Sequence, residues 1–116
     1  MLQPKIYVKD KNKVYDTQVI DYTNKMVIFF DSETQWTCTR SFDEVEFMEN
    51  TGYKDINKKH ICIGDIVEIL GVYFEIKYRT FKGYVIENEE HILSLEANLD
   101  SVSVVGNIHE NKELVE

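Results

Sequence analysis

The side chains best equipped for acid–base, nucleophilic or metal chemistry in this sequence are three histidines, two cysteines and a few paired acids. His60, His91 and His109 stand far apart, without the short spacing that brings several ligands to one metal. Cys38 and Cys62 each lack a second cysteine two residues away, so zinc-ribbon and dithiol chemistry lack their basic unit. With no export signal ahead of them, they read as free thiols rather than as a disulfide. Glu89-Glu90 falls in a stretch that reads as a hairpin turn open to water, whereas a general acid needs a desolvated carboxyl. There is no Gly-x-Ser-x-Gly, no phosphate-binding glycine loop and no Cys–His pairing. The expectation is a non-enzymatic protein with no catalytic, cofactor or metal residue.

Binding chemistry is the other possibility. The formal net charge is -8, the acidic excess is shared by residues 1–50 and 51–116, and only Arg40 and Arg79 are arginines. Such a chain repels a polyanion at long range, because nucleic-acid affinity rests largely on neutralising phosphates. Lys54, Lys58, Lys59 and His60 form a small basic run that reads as solvated loop lysines. A nucleic-acid alternative therefore has to use the face of one strand, with Lys77, Arg79 and Lys82 for phosphates and Tyr73 and Phe81 for stacking. An acidic chain can also act as a DNA mimic that occupies a DNA-binding protein.

The elements that would position these groups read as short strands. With 43% hydrophobic and 12% aromatic residues the chain can fold around a core, and no apolar run is long enough to span a membrane. The opening residues lack the layout of a signal peptide, which places the protein in the cytoplasm. Asp10-Lys11-Asn12-Lys13, Asp21 to Lys25 and Asp55-Ile56-Asn57-Lys58 repeat one turn device. In it an Asp accepts a backbone N–H two residues on, and an Asn takes the left-handed conformation. Between these turns, Lys5 to Lys9, Val14 to Ile20 and Gln35 to Arg40 are expected strands, the last with Trp36 and Cys38 inward. Met26 to Phe30 is apolar throughout and reads as buried on both faces. Ser41-Phe42-Asp43-Glu44 has capping-box spacing and predicts one tight turn before a short strand from Val45 to Glu49.

The second half is organised around Thr51 to Val67, where Gly64-Asp65 precedes a β-branched run. Glycine supplies positive φ there and the Asp satisfies turn donors. Beyond it Val72 to Arg79 alternates, with Val72, Phe74, Ile76 and Tyr78 on one face and Tyr73, Glu75, Lys77 and Arg79 on the other. Tyr84 to Ile86, His91 to Leu95 and Ser101 to Val105 complete five short strands, which fit a small SH3-like barrel. The fold expected is all-β: an N-terminal β-hairpin or meander region over 1–50, then an SH3-like barrel-like sheet over 51–116. Strand edges at 35–40 and 72–79 are expected to be free to pair with a partner.

Two segments carry a family resemblance. Thr51-Gly52-Tyr53-Lys54-Asp55 followed by Ile61-Cys62-Ile63-Gly64-Asp65-Ile66-Val67 closely resembles the signature of the YopX family of phage and prophage proteins. Val104-Val105-Gly106-Asn107-Ile108-His109-Glu110-Asn111-Lys112-Glu113-Leu114 is similar to that family's C-terminal pattern. Three departures stand out: Lys58 where the family turn has glycine, Tyr7-Val8-Lys9-Asp10 in place of Arg-Ala-Trp-Asp, and Lys112 in place of proline. The Lys58 departure predicts a turn of another type, since lysine in a left-handed position costs about 1 kcal/mol relative to glycine. The resemblance implies structural duties for Gly52, Asp55, Gly64, Asp65, Gly106 and Asn107. It also implies a phage or prophage origin and a host-cytoplasmic setting, and it brings no established activity. The leading expectation is a protein-interaction or oligomer-forming module whose partner is itself or a host or phage protein.

Overall fold

Period-two burial builds the first unit of the chain. The computed structural model describes residues 3–116, which fold as two compact units that divide between Glu49 and Asn50. In the first unit β1 (Lys5–Val8), β2 (Lys13–Asp16), β3 (Val19–Asp21), β4 (Met26–Asp31), β5 (Trp36–Ser41) and β6 (Val45–Met48) form two antiparallel sheets. Their orders are β2-β1-β6 and β3-β4-β5. Ile6 and Val8 of β1, Val27 and Phe29 of β4, and Val45 of β6 point into one core. Tyr15, Ile20, Cys38 and Phe42 pack against it. Tyr15 lies on Phe29 with ring centroids 4.6 Å apart.

Three expectations change in this unit. The strand over 14–20 is broken, because β2 ends at Asp16 and β3 begins at Val19. Thr17 turns its hydroxyl to the Pro4 carbonyl (2.9 Å), while the Gln18 N–H is taken by the Ile28 carbonyl (2.8 Å). At that point the chain leaves the β1 sheet and joins β4. Next, β4 is buried on one face: Val27, Phe29 and Asp31 are inside, but Phe30 is 42% exposed and Met26 and Ile28 are half-buried. Trp36, expected beside Cys38 in the interior, is 71% exposed at the start of β5, where the hairpin from β4 opens to solvent.

The turns at Asp21 and Asp55 keep their Asp anchors but shift the left-handed residue. Asp21 Oδ1 accepts the Thr23 and Asn24 N–H groups (both 3.1 Å), and Asn24 Nδ2 donates to Asp21 Oδ2 at 2.8 Å. With Asn24 tied to Asp21, positive φ falls on Lys25 (54°); in the third turn it falls on Lys58 (65°). Asn12 alone takes the expected left-handed φ, at 54°. Its N–H goes to the Val8 carbonyl (2.8 Å), and Asp10 turns to Arg40 instead of anchoring the turn. The turn at Lys58 therefore keeps its left-handed residue despite the lysine. Ser41-Phe42-Asp43-Glu44 forms the expected tight turn, with Glu44 Oε1 accepting the Ser41 N–H (2.9 Å) and hydroxyl (3.0 Å).

The second unit begins with the hairpin β7 (Asn50–Lys54) and β8 (His60–Cys62). It continues with β9 (Asp65–Ile69), β10 (Val72–Arg79), β11 (Gly83–Glu87), β12 (Ile92–Ser94) and β13 (Ser103–Asn107). The five-stranded sheet runs β12-β11-β10-β9-β13, all antiparallel. Its first strand lies between the second and the last, and a 3-10 turn at Glu96–Asn98 leads into β13. That order is SH3-like. Among the described residues β12 and β13 share no ladder, so the sheet is open and barrel-like rather than closed.

Ile61, Val67, Phe74, Ile76, Ile86, Leu95 and Val102 make the core of this unit. Phe74 and Ile76 confirm the alternation of β10, while Val72 and Tyr78 at its ends are exposed. The expectation of a free edge at 72–79 is overturned: β10 pairs with β9 on one side and with β11 on the other, each through a hairpin between consecutive strands. Both cysteines are free thiols, as expected, Cys62 fully buried and Cys38 half-buried.

Candidate interaction surface

The face that sequence offers to a polyanion carries no unspoken-for charge at its centre. Register sets Glu75 opposite Glu87, and alternation puts Lys77 and Arg79 on the same side. Lys77 Nζ donates to Glu87 Oε2 (3.0 Å); Arg79 Nη2 reaches Oε1 (2.6 Å) and Oε2 (2.7 Å), and its Nε donates to Oε1 (2.9 Å). The Arg79 guanidinium, then the Lys77 ammonium, hold the Glu87 carboxyl below the usual carboxylate range. Two cations are thus brought together on one carboxylate, with Glu75 beside them. Tyr73 is half-buried on that strand. Phe81 and Lys82 sit apart in the turn before β11, with Phe81 fully exposed at a φ of 71°. Tyr78 instead packs edge-on against Tyr84, and Tyr84 against Tyr53.

A second surface lies on β5, the edge strand of its sheet. Hydrogen-bonded pairs alternate along an antiparallel ladder. The bond from Phe42 N–H to Lys25 O (3.0 Å) fixes the phase with β4, so Trp36, Cys38 and Arg40 face β4 with their main-chain groups. Thr37, Thr39 and Ser41 turn theirs outward. The Ser41 N–H indeed goes to Glu44, and the Thr39 carbonyl accepts Arg40 Nη1 at 2.8 Å. The side chains beside this edge are Trp36, exposed Thr37 and Thr39, half-buried Cys38, and Arg40. The Arg40 Nε and Nη2 clasp Asp10 at 2.9 Å, and its guanidinium lies 5.9 Å over the Phe29 ring. That pair holds Asp10 below the ordinary carboxylate range, and Lys11 does the same for buried Asp31 (2.9 Å).

The residues assigned structural duties bind backbone. Asp55 Oδ1 accepts the Asn57 (2.9 Å) and Lys59 (2.8 Å) N–H groups, and Oδ2 accepts Val104 N–H (2.8 Å), tying the central turn to β13. Gly64, at a φ of 95°, donates to Ile76 O (3.0 Å) and accepts from Ile108 N–H (2.9 Å). Asp65 Oδ2 takes the Cys62 N–H at 2.7 Å. Gly52 has a φ of 85° inside the β7–β8 hairpin. A Cβ on Gly106 would meet Asn111 Oδ1 at 2.4 Å, the atom that accepts the Asn107 N–H. Asn107 Oδ1 in turn accepts the His109 and Glu110 N–H groups, both at 3.0 Å.

These networks occupy the segments in which the family model described as YopX protein matches, and that match runs over residues 5–116. The chain belongs to the YopX family. A similar solved structure is the crystal structure of protein EF1440 from Enterococcus faecalis, with a TM-score of 0.64 at 23% identity. The likeness covers 98% of this chain and 97% of that one, and at such identity it speaks for the fold alone. No curated protein matches. Within this YopX chain the departing residues have local work: Val8 is core, Lys9 Nζ donates to Asp43 O (3.1 Å), and Asp10 holds Arg40. Tyr7 donates its hydroxyl to Asn12. Lys112 opens an exposed 3-10 turn, where a missing proline changes little. Among the described residues, no helix is long and apolar enough to cross a membrane and no His, Cys, Asp and Glu group could hold a metal.

Sequence reasoning named 35–40 as an edge but placed its Trp36 inside. The signal lay in the strand itself, which has no lysine, proline or acid to guard it.

Proposed function

We propose that this protein is a non-catalytic interaction module of phage or prophage origin, which works in the host cytoplasm by pairing with a protein. The observation that carries this reading is β5: six residues, regular in register, paired among the described residues on one side only, with Trp36 71% exposed beside outward Thr37 and Thr39 main-chain groups. Added strands bind through such main-chain rows and take specificity from alternate side chains. The apolar outer face of the same sheet, with Val19 and Phe30 exposed, extends the surface.

The acidic side chains best defined by the fold are engaged in ion pairs and turns. Asp10, Asp21, Asp31, Glu44 and Glu87 are all held below their ordinary values by donors, which keeps them charged. The pairing of Lys77 and Arg79 with Glu87, with Glu75 beside Lys77, favours a protein partner over nucleic acid.

The test is capture of the tagged protein from phage-infected or prophage-bearing lysate, with and without nuclease. A protein retained through nuclease and high salt, and lost when Phe30→Glu alters the β4–β5 surface, is the expected result. Material that disappears with nuclease would refute the proposal and return the Lys77–Lys82 strand to consideration.

A further inference from the structure

We propose that β5 pairs with β5 of a second copy of this chain, antiparallel about Cys38. The inference rests on the interaction reading above and names its partner. Thr37 and Thr39 are the residues whose main-chain groups point away from β4, and they flank Cys38 symmetrically. A two-fold through Cys38 sets Thr37 against the second copy's Thr39 and the reverse. Each is a hydrogen-bonded pair that exchanges both N–H···O bonds. The bond from Arg40 Nη1 to the Thr39 carbonyl gives way to the stronger ladder geometry.

The side chains are complementary under the same operation. On one face Trp36 meets the second copy's Arg40, and Arg40 meets the second copy's Trp36. A guanidinium over an indole is the best of the cation–π pairs. Asp10 already clasps Arg40 through Nε and Nη2, so its plane is set in advance. On the other face Thr37 stands opposite Thr39, a favourable cross-strand pair. Cys38 faces Cys38 at the centre. An isologous contact requires this self-complementarity of one patch, and a shift of the two-fold to Thr37 or Thr39 breaks it.

Charge permits the contact. The chain carries -8 overall, which opposes self-association, but β5 has no acidic residue and Arg40 is its one charge. The strand is also the longest sheet edge among the described residues, and its register with β4 has no bulge. Guarded edges carry lysine, proline or a bulge.

The experiment uses the full chain. Sedimentation velocity is expected to give twice the 13.7 kDa mass. The central pair is non-hydrogen-bonded, with Cα atoms about 4.5 Å apart, inside disulfide reach. Copper–phenanthroline, which takes two electrons from the two thiols as two protons leave, should therefore link the copies covalently. Cys38→Ser should abolish the link and keep the dimer, while Cys62→Ser should keep both, since Cys62 is buried. Thr37→Pro removes an outward N–H and no ladder bond; it should halve the mass. If that variant misfolds by circular dichroism, Thr37→Lys with Thr39→Lys sets like charges opposite each other and should also give monomer. A wild-type monomer, or a dimer indifferent to both variants, overturns self-pairing. A monomer that still captures a protein through Thr37 overturns it while leaving the interaction reading in place; loss of capture as well defeats both.

Discussion

Asp55→Ala removes one carboxylate from three backbone donors at once. The side chain is buried, with the residue 6% exposed, and it accepts Asn57, Lys59 and Val104 N–H groups at 2.8–2.9 Å. A hydrogen bond to a charged acceptor contributes roughly 1.5–3 kcal/mol net. Asn57 and Lys59 belong to an exposed turn, where water replaces the lost acceptor and returns most of that amount. Val104 lies within β13, half-buried beside the core, and keeps little access to water. One full bond and two discounted ones give about 3 kcal/mol, a large share of what a small domain possesses. With a urea slope near ~1 kcal/mol per molar, the midpoint falls by about 3 M. Asp55→Asn keeps one oxygen acceptor and should lose about half as much. Amide exchange resolves the mechanism, because Val104 should lose protection in the variant before the β10 and β11 amides do. A loss below about 0.5 kcal/mol, or an unchanged Val104 amide, refutes the reasoning.

Gly64→Ala forces an alanine to a φ of 95° and should cost at least about 1 kcal/mol by urea titration, with folding retained. Phe29→Ala, at the buried centre of the first core, should cost about 3–5 kcal/mol and leave that unit largely unfolded by circular dichroism. Asp10 and Asp31 have folded-state values below their unfolded ones, so the unfolded chain binds protons first as pH falls. Their contribution is complete above the ordinary Asp value near about 3.9. It declines as pH drops from there through the folded-state values, and thermal melts of Lys11→Met should show a shallower acid decline than wild type. Glu87→Gln frees Lys77 and Arg79, and fluorescence anisotropy should show weak, salt-sensitive single-stranded DNA binding that the wild type lacks.

Local chemistry was legible in the sequence, and pairing was not. Ser41 to Glu44 announced its turn because a capping box is a four-residue interaction, and Asp55 and Gly64 announced theirs for the same reason. The alternation of Phe74 and Ile76 gave β10 its inner face. Yet no local pattern says that β9 pairs with β13 from the far end of the chain, which is what keeps β9 from being an edge of the sheet. The neutralisation of Lys77 and Arg79 depends on the register that brings Glu87 across the hairpin. The apolar run Met26 to Phe30 correctly marked a strand; hydropathy does not say whether a second layer covers both its faces, and Phe30 stays exposed. Left-handed Lys25 and Lys58 were missed because neighbouring Asn side chains have other duties: Asn24 bonds Asp21, and Asn57 Nδ2 reaches Ser103 Oγ at 3.2 Å.

The exchange of the Thr37 and Thr39 amide protons tests the central claim most directly, since those two groups point off the sheet with no strand beyond them among the described residues. Measured in dilute protein and again with the bound partner, whether a second copy or a captured protein, both amides should pass from fast exchange to the protection of a ladder. Fast exchange in both states, with new protection gathered instead on the β10–β11 face around Lys77 and Arg79, would contradict the account.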